Sequence, residues 1–471
     1  MSIQKNRASI AQKILIRGRI HLDSPLLIGG GKGSEAPDHI VDTPIMRGYG
    51  NKPMIPGTSL AGVLRSELGI QAPGSDERLF GCIAETEDSS RQSLADVSDI
   101  IFESAEIARR DGVAIDAVTG TAKPGKKYKF EVLERGASAN LEIILTVREA
   151  QKNKILDKDI EMLVAILKSG FKLGAGTSKG LGKVHCEPVC AARYDFKKDE
   201  AAEAWLKLKC DSDNMKDIDK WKRSVQNMLD FNEKKESEVY APNNEFIIEA
   251  EFDLKSSLIV RQGSAEMRDG SSVTVMQKSR GEYLIPGASL KGVLRQHAAY
   301  ILSLFGRDEG FLNDMMGFAK EENLTGKKSR LFADEIYINP DNVQARKQSR
   351  NRIDRFTGGT IKKMLLAEEP IWKTDSKQNA PISMRFGVRD CSEDWEKGLL
   401  LFLLRDLWDG CIAIGGDKAI GRGILKGRRA AVHYNDISFE ISGDGTVSGT
   451  DGSALDNWAK SFYDCMMQKD R

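Results

Sequence analysis

Nowhere in the 471 residues do roughly 18 apolar residues follow one another, and the first thirty carry no apolar run of signal-peptide length. The expectation is a soluble, cytoplasmic chain with no membrane partner. Net charge is nearly absent too: 70 basic side chains meet 69 acidic ones, leaving +1. A chain that held nucleic acid by charge alone would be more basic, so any such contact must sit in a local groove. Cysteine offers no framework. The seven (Cys82, Cys186, Cys190, Cys210, Cys391, Cys411, Cys465) are scattered and odd in number, the pattern of reduced thiols. His185-Cys186 with Cys190 lacks a second ligand pair at matching spacing, which counts against structural zinc. The glycine-rich segments Gly29 to Gly33 and Gly174 to Gly182 do not follow the phosphate-loop pattern G-x-x-x-x-G-K-[ST] after a strand, which counts against an NTPase.

What the chain does have is a repeat. Ile55-Pro56-Gly57-Thr58-Ser59-Leu60-Ala61-Gly62-Val63-Leu64-Arg65 returns as Ile285-Pro286-Gly287-Ala288-Ser289-Leu290-Lys291-Gly292-Val293-Leu294-Arg295, 230 positions later at both ends. Pro-Gly stops a strand, the Ser is placed as an N-cap, and Leu, Val and Leu follow at helical spacing. Free backbone N–H groups beside a glycine turn make such a start an anion site, with phosphate the obvious candidate. Three further blocks recur in the same order. Ser24-Pro25-Leu26-Leu27-Ile28 pairs with Ser256 to Val260, Ile115-Asp116-Ala117-Val118-Thr119-Gly120 with Ile353 to Gly358, and Gly174 to Gly182 with Gly415 to Gly423. The length also exceeds what one core usually supports. Two homologous domains follow.

Each copy reads as strand, helix, two or more strands, helix, strand. Ile14, Ile16, Ile20 and Leu22 alternate in the opening strand, and Ile160, Leu163, Val164 and Leu167 share one helix face between about Asp157 and Lys168. Glu393 to Trp408 is the equivalent helix of the second copy. That order is the split βαβ arrangement of ferredoxin-like domains. The predicted class is α+β: a first domain over 1–194, a helical connector over 195–240 that is nearly free of Gly and Pro, a second domain over 241–436 and a C-terminal tail over 437–471.

Ile28-Gly29-Gly30-Gly31, Val41-Asp42-Thr43-Pro44-Ile45, Ile55 to Leu60, Leu79-Phe80-Gly81 and Gly180-Leu181-Gly182 together resemble the RAMP superfamily, and within it the backbone subunits of type III CRISPR effector complexes. Two such domains in one chain resemble the fused subunits of type III-D-like systems. The resemblance implies a ferredoxin-like (RRM-like) palm with a thumb insertion in each domain, packed along a guide RNA beside other RAMP and effector-complex subunits. It also implies cleavage of guide-paired single-stranded target RNA, dependent on a divalent metal (Mg or Mn), at a loop Asp. Asp42 of Val41-Asp42-Thr43-Pro44-Ile45 stands at that place, as metal ligand or as an aid to the ribose 2′-hydroxyl. Repeat and resemblance together nominate RNA-binding residues: Gly30, Gly31, Lys32, Arg47, Ser59, Arg65, Lys126, Lys127 and Lys179 in the first domain, and Ser289, Lys291, Arg295, Arg350, Arg352, Arg355, Lys418 and Arg422 in the second. Glycine loops in this family let RNA backbone approach closely.

Blander readings stand beside these. Asp42 before Thr-Pro could cap a turn, His39 could be a general base or simply solvated, and the basic run Arg346 to Arg355 could be a solvated face. In the second domain a shift of 230 places Ser272 opposite Asp42, with Glu266 and Asp269 the nearest carboxylates, so cleavage there is in doubt. A non-catalytic RNA-binding scaffold and a precursor-guide-processing endoribonuclease remain as alternatives. The latter often relies on histidine, and the five His here do not repeat between domains.

Overall fold

The computed structural model describes residues 9–31, 41–83, 90–116, 119–152, 157–210, 218–224, 228–229, 244–263, 265–268, 270–318, 325–374, 381–450 and 452–468. Lys32, His39 and Asp269 lie outside the described residues. Two compact units emerge: Met1–Arg109 with Lys129–Thr177 and Leu181–Ala241, and Arg110–Tyr128 with Ser178–Gly180 and Pro242–Arg471.

In chain order the first repeat comprises β1 (Ile10–Leu22), α1 (Gly57–Gln71), α2 (Ser75–Phe80), β2 (Ala95–Val97), the hairpin strands β3 (Ile107–Ile115) and β4 (Ala122–Leu133), β5 (Ser138–Arg148), α3 (Asp157–Ser169), β6 (Phe171–Lys172) and β7 (Lys183–Asp195). The sheet is antiparallel in the order β2–β5–β1–β7–β6. Ile14, Ile16, Ile20 and Leu22 of β1 point to one face and bury against Leu60, Leu64 and Leu68 of α1 and Ile160, Leu163 and Leu167 of α3. Period 2 meets period 3.6, and the core closes.

The start of α1 corrects one expectation. Pro56 is the N-cap, with no side-chain cap, so Ser59 lies inside the first turn. Proline presets the entry φ, and Gly57 is required because a Cβ there would overlap the Val97 carbonyl oxygen. The Gly57 amide donates to Asp99 Oδ1 at 2.7 Å. A carboxylate of the chain itself thus occupies the position expected for phosphate. Pro286 likewise caps the second copy, leaving Ser289 in the helix.

The segment read as a connector contains α4 (Asp199–Cys210) and α5 (Ile218–Ser224), and both pack on the outer face of the first sheet. Trp205, Leu208 and the fully buried Trp221 cover Leu15, Cys190, Ala192 and Tyr194. Arg17, paired with Glu142 at 2.8 Å, lies 5.1 Å over the Trp221 ring.

The second repeat comprises β8 (Phe246–Leu254), β9 (Ser271–Val275), α6 (Gly287–Leu304), β10 (Leu331–Ala333), the hairpin β11 (Gln348–Ile353) and β12 (Thr360–Glu369), β13 (Ile382–Val388), α7 (Asp394–Trp408), β14 (Leu425–Tyr434), β15 (Ile437–Ser442), β16 (Val447–Gly449) and α8 (Gly452–Met467). Its antiparallel sheet runs β10–β13–β8–β14–β15–β16. The residues expected as a tail therefore extend this sheet by two strands and add a helix to its core, with Trp458, Phe462 and Met466 buried. Gly398 of α7 lets α8 approach, since a Cβ there would overlap the Trp458 carbonyl.

Candidate nucleic-acid interface and carboxylate site

The loop carrying Asp42 is held on both sides by main-chain pairing. Gly29 bridges Ile45, Thr43 bridges Phe130 of β4, and Gly30 N donates to Pro44 O at 2.9 Å. Asp42 N donates to Lys129 O at 3.0 Å, and Lys129 N returns a bond to Asp42 Oδ2 at 2.7 Å. The carboxylate thus bonds across to β4 instead of capping a turn of its own. Asp42 is exposed, and its Oδ1 has no partner among the described residues. One oxygen fixes orientation; the other is available.

Two residues further along β4, Glu131 is buried and accepts from Ile45 N at 3.3 Å and Arg47 Nη2 at 3.1 Å. Positions two apart on a strand share a face and stand about 6.6 Å apart, so Asp42 and Arg47 flank one strip of β4. Arg47 Nε is buried without a partner among the described residues, and Arg47 lines an open groove of about 530 Å³ with Asn51, Lys52, Glu103, Ser104 and Glu106. Among the described residues no three His, Cys, Asp or Glu side chains cluster as a metal cage. The Asp42 oxygen fits the other common pattern, in which one carboxylate shares a hard cation with water and substrate phosphate.

The second unit is built differently at the matching place. Leu26 pairs with Leu133 as Leu258 does with Ile371, and Gly29 with Ile45 as Arg261 does with Met276. Thr43 on Phe130 corresponds to Thr274 on Glu368. This register sets Thr274 opposite Thr43, 231 positions on, and so Val273 opposite Asp42. Val273 is fully buried. Ser272, the counterpart expected from a shift of 230, is exposed and pairs with Met267; the segment between this strand and α6 is one residue shorter than its counterpart in the first repeat, and a one-residue slip exchanges the two faces of a strand. An ion network is built on Glu368, the residue that pairs with Thr274 next to Val273. Glu368, 3% exposed, accepts from Arg261 at 2.8 Å, from Arg422 at 3.0 Å and from Arg350. Asp417 accepts from Arg261 at 2.7 Å, Arg350 at 2.6 Å and Arg422 at 3.2 Å. Burial pushes the Asp417 carboxyl up, but the hydrogen bond with Glu368 and then the guanidiniums of Arg261 and Arg350 outweigh it and hold it below the usual range. Arg350 and Arg422, nominated for RNA, are committed to this network.

A family model described as the RAMP superfamily matches residues 19–185 and 251–426, one stretch in each repeat. The chain belongs to the RAMP superfamily. It is similar to the CRISPR system Cms endoribonuclease Csm3 of Enterococcus italicus, with 29% identity over 196 residues, covering 36% of this chain and 88% of that protein. It is also similar to the protein of the same name from Streptococcus thermophilus, with 27% identity over 222 residues, covering 39% of this chain and 94% of that protein. Nearly the whole of each relative thus matches little more than one RAMP region.

The remaining nominated residues separate into engaged and exposed. Arg295 pairs with Glu309 at 2.8 Å and holds the Gly317 carbonyl at 2.5 Å. Lys127 pairs with Asp111 at 2.7 Å. Lys126, Arg65, Lys179, Arg352, Arg355 and Lys418 are exposed. The Ile-Asp-x-x-Thr-Gly blocks close the two hairpins: Asp116 accepts from Thr119 N and Asp354 from Thr357 N, both at 2.9 Å, and Gly120 and Gly358 take φ of 66° and 67°. Arg355 and the fully exposed Phe356 occupy one tip.

Four glycines of the late loops are required by the chain's own packing. A Cβ on Gly174 or Gly415 would meet the Leu27 or Ile259 carbonyl, and one on Gly182 or Gly423 the Leu173 or Ile414 carbonyl. Gly31 differs: it has φ of 82° and open space around it. Sequence reasoning missed Arg261, Glu131 and Glu368. None falls in a repeated block, and only pairing across the sheet reveals them.

Proposed function

We propose that this chain is a guide-RNA-binding backbone subunit of a type III CRISPR effector complex, and that it cuts guide-paired single-stranded target RNA at Asp42, in its first RAMP region alone. The observation that carries this reading is the contrast between the two repeats. A carboxylate pinned at one oxygen and open at the other stands in the first, while its counterpart in the second is a buried valine. The word endoribonuclease in the names of both relatives supports the activity. The sheet order β2–β5–β1–β7, with α1 and α3 together on one face, supports a ferredoxin-like palm, and the long hairpins suit the thumbs.

In this mechanism the Lys129 amide holds Asp42 so that its free oxygen meets the ribose 2′-hydroxyl, orients it and draws its proton as it attacks the adjacent phosphate. The 5′-oxygen of the next nucleotide leaves. Divalent Mg or Mn, when bound at Asp42, would stabilise the charge developing on the phosphate oxygens. A hairpin that displaces bases breaks the A-form stack and permits in-line geometry, which supplies much of the rate. Sequence choice falls to pairing with the guide, and protein contacts go mainly to the RNA backbone. Other RAMP subunits and a cytoplasmic setting complete the picture.

The test is a guide-programmed complex reconstituted with this chain and given labelled target RNA, with Mg²⁺, with Mn²⁺ or with chelator. One metal-dependent cut per copy of the chain is expected. Two cuts per copy, or undiminished cutting in chelator, would overturn the corresponding part.

A further inference from the structure

On the outer face of the first sheet two histidines meet. His21 of β1 and His185 of β7 stand directly opposite each other in the strand register, and such pairs carry their Cβ atoms about 4.5–5.5 Å apart. Their rings lie 5.1 Å apart, centre to centre, and within 15° of parallel. His185 Nδ1 bonds the Asp23 carboxylate at 2.8 Å, and His21 Nε2 bonds the Glu187 carbonyl at 2.8 Å. Both oxygens accept, so each contacted nitrogen carries the hydrogen, and in the neutral ring the other nitrogen keeps a lone pair. His185 Nε2 and His21 Nδ1 have no partner among the described residues. A β-bulge between the pairs Gly18–Val189 and Ile20–Cys186 leaves Glu187 out of the register, with its carbonyl turned to the ring. The repeated blocks set Asp253 and Lys426 at these two places in the second copy, again directly opposite each other. That is the oppositely charged pair expected of a sheet face, so the histidines belong to one repeat only.

An imidazole that donates one N–H to a carboxylate or a backbone carbonyl, and holds its other nitrogen open, is arranged as a metal ligand with its supporting contact. Here two of them share one step of one sheet. We propose that His21 and His185 form a two-histidine site for a borderline divalent transition-metal ion of the zinc class, with Asp23 and the Glu187 carbonyl orienting the rings. The ligand class follows from the donors: imidazole suits zinc, copper and nickel, whereas the oxygen at Asp42 suits a hard cation. With metal–nitrogen bonds of about 2.0–2.1 Å, two imidazoles on one ion hold their ring centres about 5 Å apart, close to the separation here. Loading turns the near-parallel rings toward each other and leaves the strands in place, and water completes the coordination. The ion then clips β1 to β7 beside the bulge. Cys186 and Cys190 take no part, since Cys186 is buried in the core under the sheet and Cys190 is packed with Trp205 and Trp221. The site stands apart from RNA binding and from the cut at Asp42.

The experiment takes the full chain without a polyhistidine tag, at neutral pH, and titrates Zn²⁺ in competition with a chromophoric chelator. Wild type takes up one zinc that His21→Gln/His185→Gln loses. Asp23→Ala keeps both ligands but binds that zinc on the order of 10–100-fold more weakly. Asp42→Ala binds it as wild type does, which separates this ion from one held at the other carboxylate. Melting curves give the second readout. In chelator the double variant melts with wild type, because both rings are only half-buried; with zinc added, the melting temperature rises in wild type alone. A double variant that binds zinc as tightly as wild type, or a wild type whose melting temperature ignores zinc, overturns the site. Should the double variant melt lower in chelator, Asp23→Ala decides, and undiminished zinc affinity in that variant overturns the site.

Discussion

Removing the charge of Glu368 is the sharpest test of how the second repeat closes the place where the first carries Asp42. Glu368 and Asp417 together neutralise two of three guanidiniums, and Glu368→Gln leaves one carboxylate for three. Arg422 suffers most, because its side chain is 3% exposed, whereas Arg261 and Arg350 are 46% and 32% exposed and can be rehydrated. Breaking a buried pair costs about 3–5 kcal/mol. With two of the three partners discounted for solvent screening, the net expectation is about 3 kcal/mol. For a unit of this size that lowers the melting temperature by about 6–12 °C. Urea and thermal unfolding of the full chain, followed by tryptophan fluorescence, measure it. The double variant Glu368→Gln/Arg422→Met should recover a substantial part, since it also removes the stranded cation. A loss below about 1 kcal/mol with no recovery in the double variant would refute the reasoning and make the network a set of surface pairs.

Lys291→Met should stabilise the RNA-free chain near pH 7. The unfolded chain keeps the lysine proton up to the ordinary value while the folded chain releases it near 7, so between these values the unfolded state binds more protons and stability rises with pH. Melting curves from pH 7 to 10 should show that rise in wild type, on the order of 3 kcal/mol in full, and a flatter profile in the variant. Val273→Asp should restore no cleavage and should cost several kcal/mol, because the new carboxylate is buried without a partner; a stable variant with a second cut would show that the register assigned here is wrong. Trp221→Ala should destabilise the first unit by about 3–5 kcal/mol in urea unfolding, while RNA affinity in the assembled complex stays unchanged.

Much of the fold was written in local pattern. The Pro-Gly helix starts, the alternation in β1 and the apolar face of α3 are dictated within a dozen residues, and each forms where periodicity puts it. Contacts distant in sequence were not legible. Asp99, which takes the Gly57 amide, lies 42 residues downstream, and nothing near Ser59 announces it. Trp205 and Trp221 could be seen as apolar anchors, but the sheet face they cover is decided by Leu15 and Tyr194. The residues after Asp436 carry no counterpart in the first repeat, so the repeat gave no warning that they extend the sheet. At the candidate site, Asp42 was nominated by its motif and the resemblance, and the structure adds how the loop around it is held. The identity of its counterpart depended on one residue of register, which ungapped comparison across a shortened loop cannot supply. Arg350 and Arg422 looked like free cations because the carboxylates that bind them, Glu368 and Asp417, belong to other segments.

The central claim is that one carboxylate in this chain does the cutting. Target-RNA cleavage by the reconstituted complex in Mg²⁺, compared between wild type and Asp42→Ala with the cut positions mapped, tests it most directly. The account predicts that every cut attributable to this chain disappears while guide and target remain bound with unchanged affinity. An unaltered cleavage pattern in Asp42→Ala would contradict it and leave the chain an RNA-binding scaffold.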